Sequence, residues 1–265
     1  MSWIKSILLG VIQGLTEFLP VSSSGHLAIF DHFLDASASI SFDIFVHLGT
    51  LLAVLIYFRE DVRLLVVSLF TWQKPEDAPH RRLMLLLFVV TVVTAIPALL
   101  LKDKIEVIRE FPRVVALILI ANGFILLISD RQEGGEGKAE KLPWLKAVYI
   151  GIAQFIAVVP GISRSGSTIT AGIFGGLTRS EAARFSFLLS IPAILGANIF
   201  AIRDISTLEM AELKYYLVAF VAASVSGYLV ISLLIRLVQK RKLKYFAYYC
   251  WAFALITLVL ITIQG

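Results

Sequence analysis

Residues 3–25 read WIKSILLGVIQGLTEFLPVSSSG and residues 144–166 read WLKAVYIGIAQFIAVVPGISRSG, and these two stretches decide the fold. Both are apolar, and both are interrupted near their end by proline and small polar residues. At a constant shift of 141 residues they match repeatedly, which indicates an internal duplication. The matched pairs are Trp3 with Trp144, Lys5 with Lys146, Gly10 with Gly151, Gln13 with Gln154, Ser22 with Ser163, Ser24 with Ser165 and Gly25 with Gly166.

Outside these stretches the chain consists mostly of apolar runs long enough to cross a bilayer, which takes about 20 residues of helix. The full composition agrees, since the 265 residues are 58% hydrophobic and 16% charged and the mean hydropathy is +0.86. Such values exclude an ordinary soluble domain. The predicted crossings are Ile40–Phe58, Leu83–Leu101, Val114–Ser129, Phe185–Ile202, Leu217–Ile235 and Phe246–Ile263.

These runs predict an all-α, polytopic membrane protein that forms a single membrane domain over residues 1–265. Each half is one broken, re-entrant helical hairpin followed by three crossings, with repeat 1 at about 1–132 and repeat 2 at about 142–265. Because three is odd, the halves are expected to face opposite ways, as an inverted repeat. The Gly-rich segment Glu133–Lys138 is the predicted boundary between them.

The basic residues predict orientation rather than a nucleic-acid partner, although the net charge is +5. They are spread between apolar runs, and 16 of the 24 fall in segments on one predicted side of the membrane. By the positive-inside rule that side is cytoplasmic, so both termini are expected outside. Cysteine labelling from outside should therefore reach positions Glu106 and Glu209 and miss Lys138 and Lys240. The single cysteine, Cys250, excludes a disulfide framework.

Two ionisable residues inside the broken stretches, Glu17 and Arg164, are the strongest site candidates, because a charge at bilayer depth is costly. Gln13 shares a helix face with Glu17, one turn before Pro20. The sequence Ser22-Ser23-Ser24-Gly25-His26 follows. A carboxylate, a carboxamide, hydroxyls and an imidazole are thus expected around the first break.

The second break supplies hydroxyls and a guanidinium in Gly161-Ile-Ser-Arg-Ser-Gly-Ser-Thr168. Such a loop opening into a helix is typical of a phosphate site, because helix N–H groups and a planar guanidinium both bind phosphate oxygens. The alternative is that Glu17 and Arg164 form only a structural ion pair, and that Ser22 and Ser24 only bond the backbone. For His32, His47 and His80 a structural role is predicted. Gly172, Gly175 and Gly176 are expected to serve helix packing.

Over essentially its whole length the chain resembles the undecaprenyl-pyrophosphate phosphatase family of bacterial envelope enzymes, the family linked to bacitracin resistance. The resemblance lies in two motifs: (Glu/Gln)-x-x-x-Glu leading into Pro-Val-Ser-Ser-x-Gly-His, here Gln13 to His26, and Pro-Gly-x-Ser-Arg-Ser-x-x-Thr, here Pro160 to Thr168. It implies an enzyme of the plasma membrane, open to the outer side, that cleaves polyprenyl pyrophosphate to the monophosphate and phosphate.

The resemblance also implies roles for individual residues. Glu17 and Gln13 would hold a divalent metal ion, Mg²⁺ or Ca²⁺. Ser23 or His26 would do the covalent or acid–base work, with Glu17 as another base. Besides the lipid substrate, membrane lipids are expected partners, and a homodimer is compatible with the sequence. The residues implied in pyrophosphate binding are Arg164, Ser163, Ser165, Thr168 and Ser22.

The predicted mechanism is attack by Ser23 on the terminal phosphorus with His26 or Glu17 as the base; attack by His26 and attack by a metal-activated water stay open as alternatives. A second class of function also fits the predicted fold, since broken helices in inverted repeats are typical of secondary transporters. A lipid flippase or a transporter with an anion site at the midplane is therefore the alternative. Phosphate release would separate the two classes.

Overall fold

The computed structural model describes residues 2–34, 40–71, 73–201 and 210–264, and this part of the chain is helical without any β-strand. A single isolated bridge joins Gly137 to Leu177. Short 3₁₀ turns at Pro75–Asp77 and Ala139–Lys141 complete the regular structure. The α-helices of the described residues are α1 Trp3–Phe18, α2 Ser23–Leu34, α3 Ile40–Tyr57, α4 Arg59–Phe70, α5 Ala78–Leu100, α6 Lys102–Arg109, α7 Pro112–Arg131, α8 Trp144–Ile156, α9 Arg164–Phe174, α10 Arg179–Ala201, α11 Leu213–Gln239 and α12 Lys244–Gln264.

Each of the six predicted crossings coincides with a long helix. Among the described residues, five helices are long and apolar enough to span a membrane: α5, α7, α10, α11 and α12. A sixth span is counted if α3 and α4, bent by 83° at Phe58, are taken together. The chain is therefore a multi-pass α-helical membrane protein. Ile202, the expected end of one crossing, and Glu209, an expected labelling position, lie outside the described residues.

Both broken stretches are interrupted where the sequence predicted. The first breaks between Phe18 and Ser23, and the second between Ile156 and Arg164. Proline lies in each gap, where its missing N–H and fixed φ interrupt a helix. Positive φ angles complete the turns, at Ser22 (68°) and at Gly161 (101°).

The helices of the two halves pack across one another. Helix α1 lies along α11, and α8 lies along α5, so each broken stretch contacts a long helix of the opposite half. Helix α3 also packs on α11, α10 packs on α5, and α7 packs on α12. The largest apolar core contains Phe18, Val90, Phe187 and Ile231, from four different helices. The two breaks are thereby held inside a bundle made by both halves.

The segment between the halves is attached to the second half. Gly135 donates its N–H to Leu177 O and Gly137 donates to Gly176 O, both at 3.0 Å. A Cβ on Gly135 would lie 2.0 Å from Gly176 O, so only glycine fits there. Beside this contact Arg184 pairs with Asp61, Glu140 and Glu181. The predicted boundary loop is therefore a docked connection.

Candidate active site

The two helix breaks share one pattern of serine hydrogen bonds, called the frame below. In each, a serine hydroxyl accepts a backbone N–H three residues later and caps the following helix. A second serine hydroxyl lies next to the capping one in both breaks. The capping pairs are Ser22 Oγ with Gly25 N at 3.3 Å and Ser163 Oγ with Gly166 N at 3.1 Å; the hydroxyl pairs are Ser22 with Ser24 at 3.3 Å and Ser163 with Ser165 at 3.1 Å.

Asn122 of α7 joins the two breaks. This fully buried side chain donates to Pro20 O at 3.0 Å and accepts from Ser163 N at 2.9 Å. A further direct contact is Gly161 N to Ser22 Oγ at 3.1 Å. Since buried backbone groups need partners, these bonds fix the start of α2 against the start of α9.

Glu17 is the centre of the polar cluster. Its Oε1 accepts from Arg164 Nη2 at 2.8 Å, and its Oε2 accepts from Ser23 Oγ at 2.7 Å and from Gln13 Nε2 at 3.0 Å. The Glu17 side chain is 6% exposed and that of Arg164 is 17% exposed. The carboxylate and hydroxyl of the first break thus meet the guanidinium of the second break.

His47 of α3 also reaches this cluster. Its Nδ1 donates to Asp43 O at 2.6 Å, because a carbonyl can only accept, and its Nε2 lies 3.9 Å from Glu17 Oε2. Asp43 in turn binds Arg109 of α6, with 2.7 Å between Oδ2 and Nη2. The structural role predicted for His47 does not account for this position beside Glu17.

A cavity of about 520 Å³ opens over these groups. Its polar floor is formed by Glu17, Ser23, His47 and Arg164. Small apolar side chains of α5 and α10 form the walls, among them Ala95, Ala98, Ala193 and Ala197. Charged residues of α3 and α6 also line the cavity: Asp43, Lys102, Glu106 and Arg109. Such a cavity can accept an anionic group at its floor and an apolar chain along its wall.

Other predicted site residues lie behind this cavity. Thr168 Oγ1 donates to Arg164 O at 2.8 Å and lies 2.6 Å from Ser186 Oγ. Ser165 donates to Leu19 O at 3.3 Å. Like Ser22 and Ser163, these residues do not line the cavity; their hydroxyls bond the protein.

His26 faces helix α12 instead of the cavity. Its ring lies against Tyr249 and Phe253 and is 1% exposed. The structure therefore brings Gln13, Glu17, Ser23 and Arg164 together and leaves His26 apart from them.

The sequence predicts no part in the site for Asn122 or Tyr249, and only a structural role for His47. Asn122 carries a signal that could have found it, since a carboxamide in the apolar run Val114–Ser129 needs partners inside the bilayer. His47 lies in the apolar run Ile40–Phe58 and carries the same signal. Tyr249 carries none, because tyrosines are common in such helices.

This fold and this cluster define a class: multi-pass membrane proteins with a buried, phosphate-compatible polar site under an apolar cavity. A family model described as "Bacitracin resistance protein BacA" matches residues 6–256. The chain belongs to that family.

Curated relatives cover nearly the whole chain. A protein of Methanobrevibacter smithii named undecaprenyl-diphosphatase is 40% identical over 97% of this chain and 96% of its own. Proteins with the same name from Syntrophotalea carbinolica and Carboxydothermus hydrogenoformans are 43% and 39% identical, over 95% and 98% of this chain and 96% and 98% of their own.

Proposed function

We propose that the protein hydrolyses undecaprenyl pyrophosphate to undecaprenyl monophosphate and inorganic phosphate, and so recycles the lipid carrier of cell-wall polysaccharide synthesis. The name shared by its relatives supports this substrate. The observation that carries the proposal is the Ser23–Glu17–Arg164 cluster at the floor of the cavity. The hydroxyl, the carboxylate and the guanidinium lie within one set of hydrogen bonds, which supports their roles as nucleophile, proton acceptor and phosphate-binding cation.

Charge balance is the main demand of this reaction, because phosphoryl transfer is promoted mostly by neutralising and positioning the phosphate oxygens. Arg164 offers a planar fork for two of those oxygens. However, Arg164 is paired with Glu17, so the two together add no net charge. Further positive charge is needed when the pyrophosphate enters.

A divalent cation, Mg²⁺ or Ca²⁺, is the proposed source of that charge. Gln13 Oε1 is buried without a hydrogen-bond partner beside Glu17, and both side chains offer the hard oxygen atoms that these ions prefer. No group of three or more His, Cys, Asp or Glu side chains is arranged for a metal among the described residues. Gln13 and Glu17 would therefore share the ion with the pyrophosphate oxygens. When bound, the ion would offset the phosphate charge.

In the proposed reaction Ser23 Oγ attacks the terminal phosphorus. The bond from that phosphorus to the bridging oxygen breaks, and the lipid monophosphate leaves with the bonding electrons. Glu17 Oε2, 2.7 Å from Ser23 Oγ, takes the serine proton. Glu17 passes this proton to the departing lipid monophosphate and becomes a carboxylate again. Water then attacks the phosphoserine phosphorus while Glu17 takes one of its protons, the P–Oγ bond breaks, inorganic phosphate leaves, and Glu17 returns that proton to Ser23 Oγ. Arg164 holds the phosphate oxygens in both steps.

The cavity walls are the proposed place for the start of the prenyl chain. Ala95 and Ala98 of α5 and Ala193 and Ala197 of α10 line the cavity, and their small side chains leave room for an apolar chain. In the bilayer the prenyl chain exchanges contacts with lipid for contacts with protein, so its binding here depends on van der Waals packing against these side chains. The lipid would thus remain among the helices while its pyrophosphate reaches Ser23.

We also propose that the two halves form an inverted repeat with re-entrant hairpins. The exchanged packing of α1 on α11 and α8 on α5 supports this, because a two-fold axis between the halves would interchange those pairs. The bias of Lys and Arg supports an outward orientation in the plasma membrane, with both termini and the cavity on the outer side. Labelling positions Glu106 and Lys138 from outside tests the orientation. A homodimer stays a prediction.

The test of function is phosphate release from C55 pyrophosphate by the purified protein, with Mg²⁺, with Ca²⁺ and with EDTA. We expect release that depends on the metal and is lost in Arg164→Ala. Metal-dependent binding without release would contradict hydrolysis and favour the flippase or transporter.

A further inference from the structure

His26 is held by hydrogen bonds at both ring nitrogens. Nδ1 lies 2.9 Å from Ser22 O, and Nε2 lies 2.8 Å from the hydroxyl of Tyr249. Its ring plane is within 8° of the rings of Tyr249 and Phe253, with 5.6 Å and 4.3 Å between centroids. Both rings belong to α12, whereas His26 belongs to α2.

These contacts define the protonation of the ring. A carbonyl oxygen can only accept a hydrogen bond, so Nδ1 carries the proton. In the neutral ring Nε2 then accepts from the Tyr249 hydroxyl. A base or a nucleophile needs a free nitrogen that faces the substrate. His26 does not meet this requirement, because Nε2 is occupied by the Tyr249 hydroxyl and the ring does not line the cavity.

The carbonyl that His26 holds belongs to a strained residue. Ser22 has φ 68°, a left-handed conformation that residues other than glycine disfavour. Its carbonyl accepts both the backbone N–H of His26 at 3.1 Å and the ring Nδ1–H. The next residue is Ser23, the first residue of α2. Whatever holds the turn at Ser22 therefore holds the Ser23 hydroxyl on Glu17.

The second break lacks this arrangement at the matching place. The counterpart of His26 is Ser167, and the positive φ falls on Gly161, which adopts it without strain. Ser163, the counterpart of Ser22, is not left-handed, with φ −81°. The histidine is therefore found in the break that has the left-handed serine, Ser22, and the Ser23 hydroxyl that follows it.

We propose that Tyr249 and His26 are positioning residues: Tyr249 orients the His26 ring, and that ring holds the left-handed turn at Ser22 that aims Ser23 at Glu17. This inference rests on the proposed function, in which Ser23 attacks phosphorus. Loss of either positioning residue should lower turnover rather than substrate affinity, because in the proposed function Arg164 and the cation bind the pyrophosphate.

The experiment compares His26→Asn, His26→Ala and Tyr249→Phe in C55-pyrophosphate hydrolysis. An asparagine amide can donate to Ser22 O from about the position of Nδ1, yet it can neither accept a proton from serine nor attack phosphorus. We expect His26→Ala to lose about a hundredfold in kcat with little change in KM. His26→Asn should recover about tenfold of that loss. Tyr249→Phe should lose a few-fold in kcat. Tyr248→Phe is the matched control, because the Tyr248 ring lies beside Trp251 instead of His26, and it should lose nothing.

A double variant sharpens the test. Tyr249 should act only through the ring, so Tyr249→Phe should have no added effect in the His26→Asn background. Thermal unfolding in detergent checks that each variant is folded, and the Asn and Phe variants decide if His26→Ala fails to fold. If the wild type is active and His26→Asn is folded but as inactive as His26→Ala, the inference is overturned while the proposed function stands. A wild type that releases no phosphate would overturn the proposed function and the inference with it.

Discussion

The break after α1 and the break after α8 use the same frame for different chemistry. In both, a capping serine and a second serine hydroxyl hold the turn. The positions that differ carry the functional groups: Ser23 corresponds to Arg164, Glu17 to Val158, and His26 to Ser167. Matched positions build the turn, and the unmatched ones place a serine hydroxyl and a carboxylate on one side and a guanidinium on the other.

This division explains why neither break is sufficient alone. A buried carboxylate without a partner is strongly destabilising, and the guanidinium that pairs with Glu17 comes from the other half of the chain. The guanidinium likewise needs Glu17 to be buried at this depth. Assembly of the two halves therefore completes the charge balance and the site together.

The largest expected effect is that of removing the cation contributed by the second break. Arg164→Ala and Arg164→Lys should each lose about a thousandfold in kcat/KM, because a lysine keeps the charge but lacks the planar fork. Arg109→Lys, which changes another arginine of the cavity lining, is the control and should lose only a few-fold in kcat/KM. Phosphate release is measured, with thermal unfolding as the check on folding. A near wild-type rate in Arg164→Lys would show that charge alone is needed.

The next effect separates the hydroxyl that differs from those that match. Ser23→Ala should lose at least about a hundredfold in kcat, because the attacking group is gone. Substrate binding should change little, since Arg164 remains. Ser24→Ala is the matched control and should lose far less. A nearly unchanged rate in Ser23→Ala would indicate that water is the attacking group. The two breaks would then differ in function only by the charges of Glu17 and Arg164.

The helices could be predicted from the sequence because the bilayer restricts which segments can cross it. Only an apolar run of the right length crosses a bilayer, and all six expected runs coincide with helices. The meeting of Glu17 with Arg164 was also predictable, because two isolated charges at bilayer depth have few other partners. The duplication identified both breaks.

Contacts between distant elements were not predictable in the same way. His26 shares a short segment with Ser23, yet the helical turn directs it to the opposite side, toward Tyr249. Nothing local in the sequence indicates that α12 would be there. His47 enters the site because α3 packs beside α1, a neighbour relation that follows from the assembled bundle.

A smaller effect is expected at the two matched carboxamides. Gln13 adjoins Glu17, whereas Gln154 donates to Thr94 Oγ1 at 3.0 Å, and each has an unpartnered Oε1. Gln13→Ala should raise the Mg²⁺ concentration for half-maximal activity about tenfold, the scale of losing a weak or supporting ligand. Gln154→Ala should leave that concentration unchanged. Equal shifts in both variants would contradict a metal site at Glu17.

The smallest effect on turnover is expected at Asn122, the residue that joins the frames. Asn122→Ala leaves Pro20 O and Ser163 N without a side-chain partner, which should lower the free energy of unfolding by about 2 kcal/mol. Turnover should fall only a few-fold, because Asn122 touches neither Ser23 nor Arg164 in the described contacts. Ser129→Ala on the same helix is the control, since its buried Oγ has no partner to lose. The measurement is the unfolding midpoint in detergent with phosphate release on the same samples. An unchanged midpoint in Asn122→Ala would mean that the breaks are held together by direct contacts such as Gly161 N to Ser22 Oγ. The two frames would then be independent caps that touch, rather than one frame joined through α7.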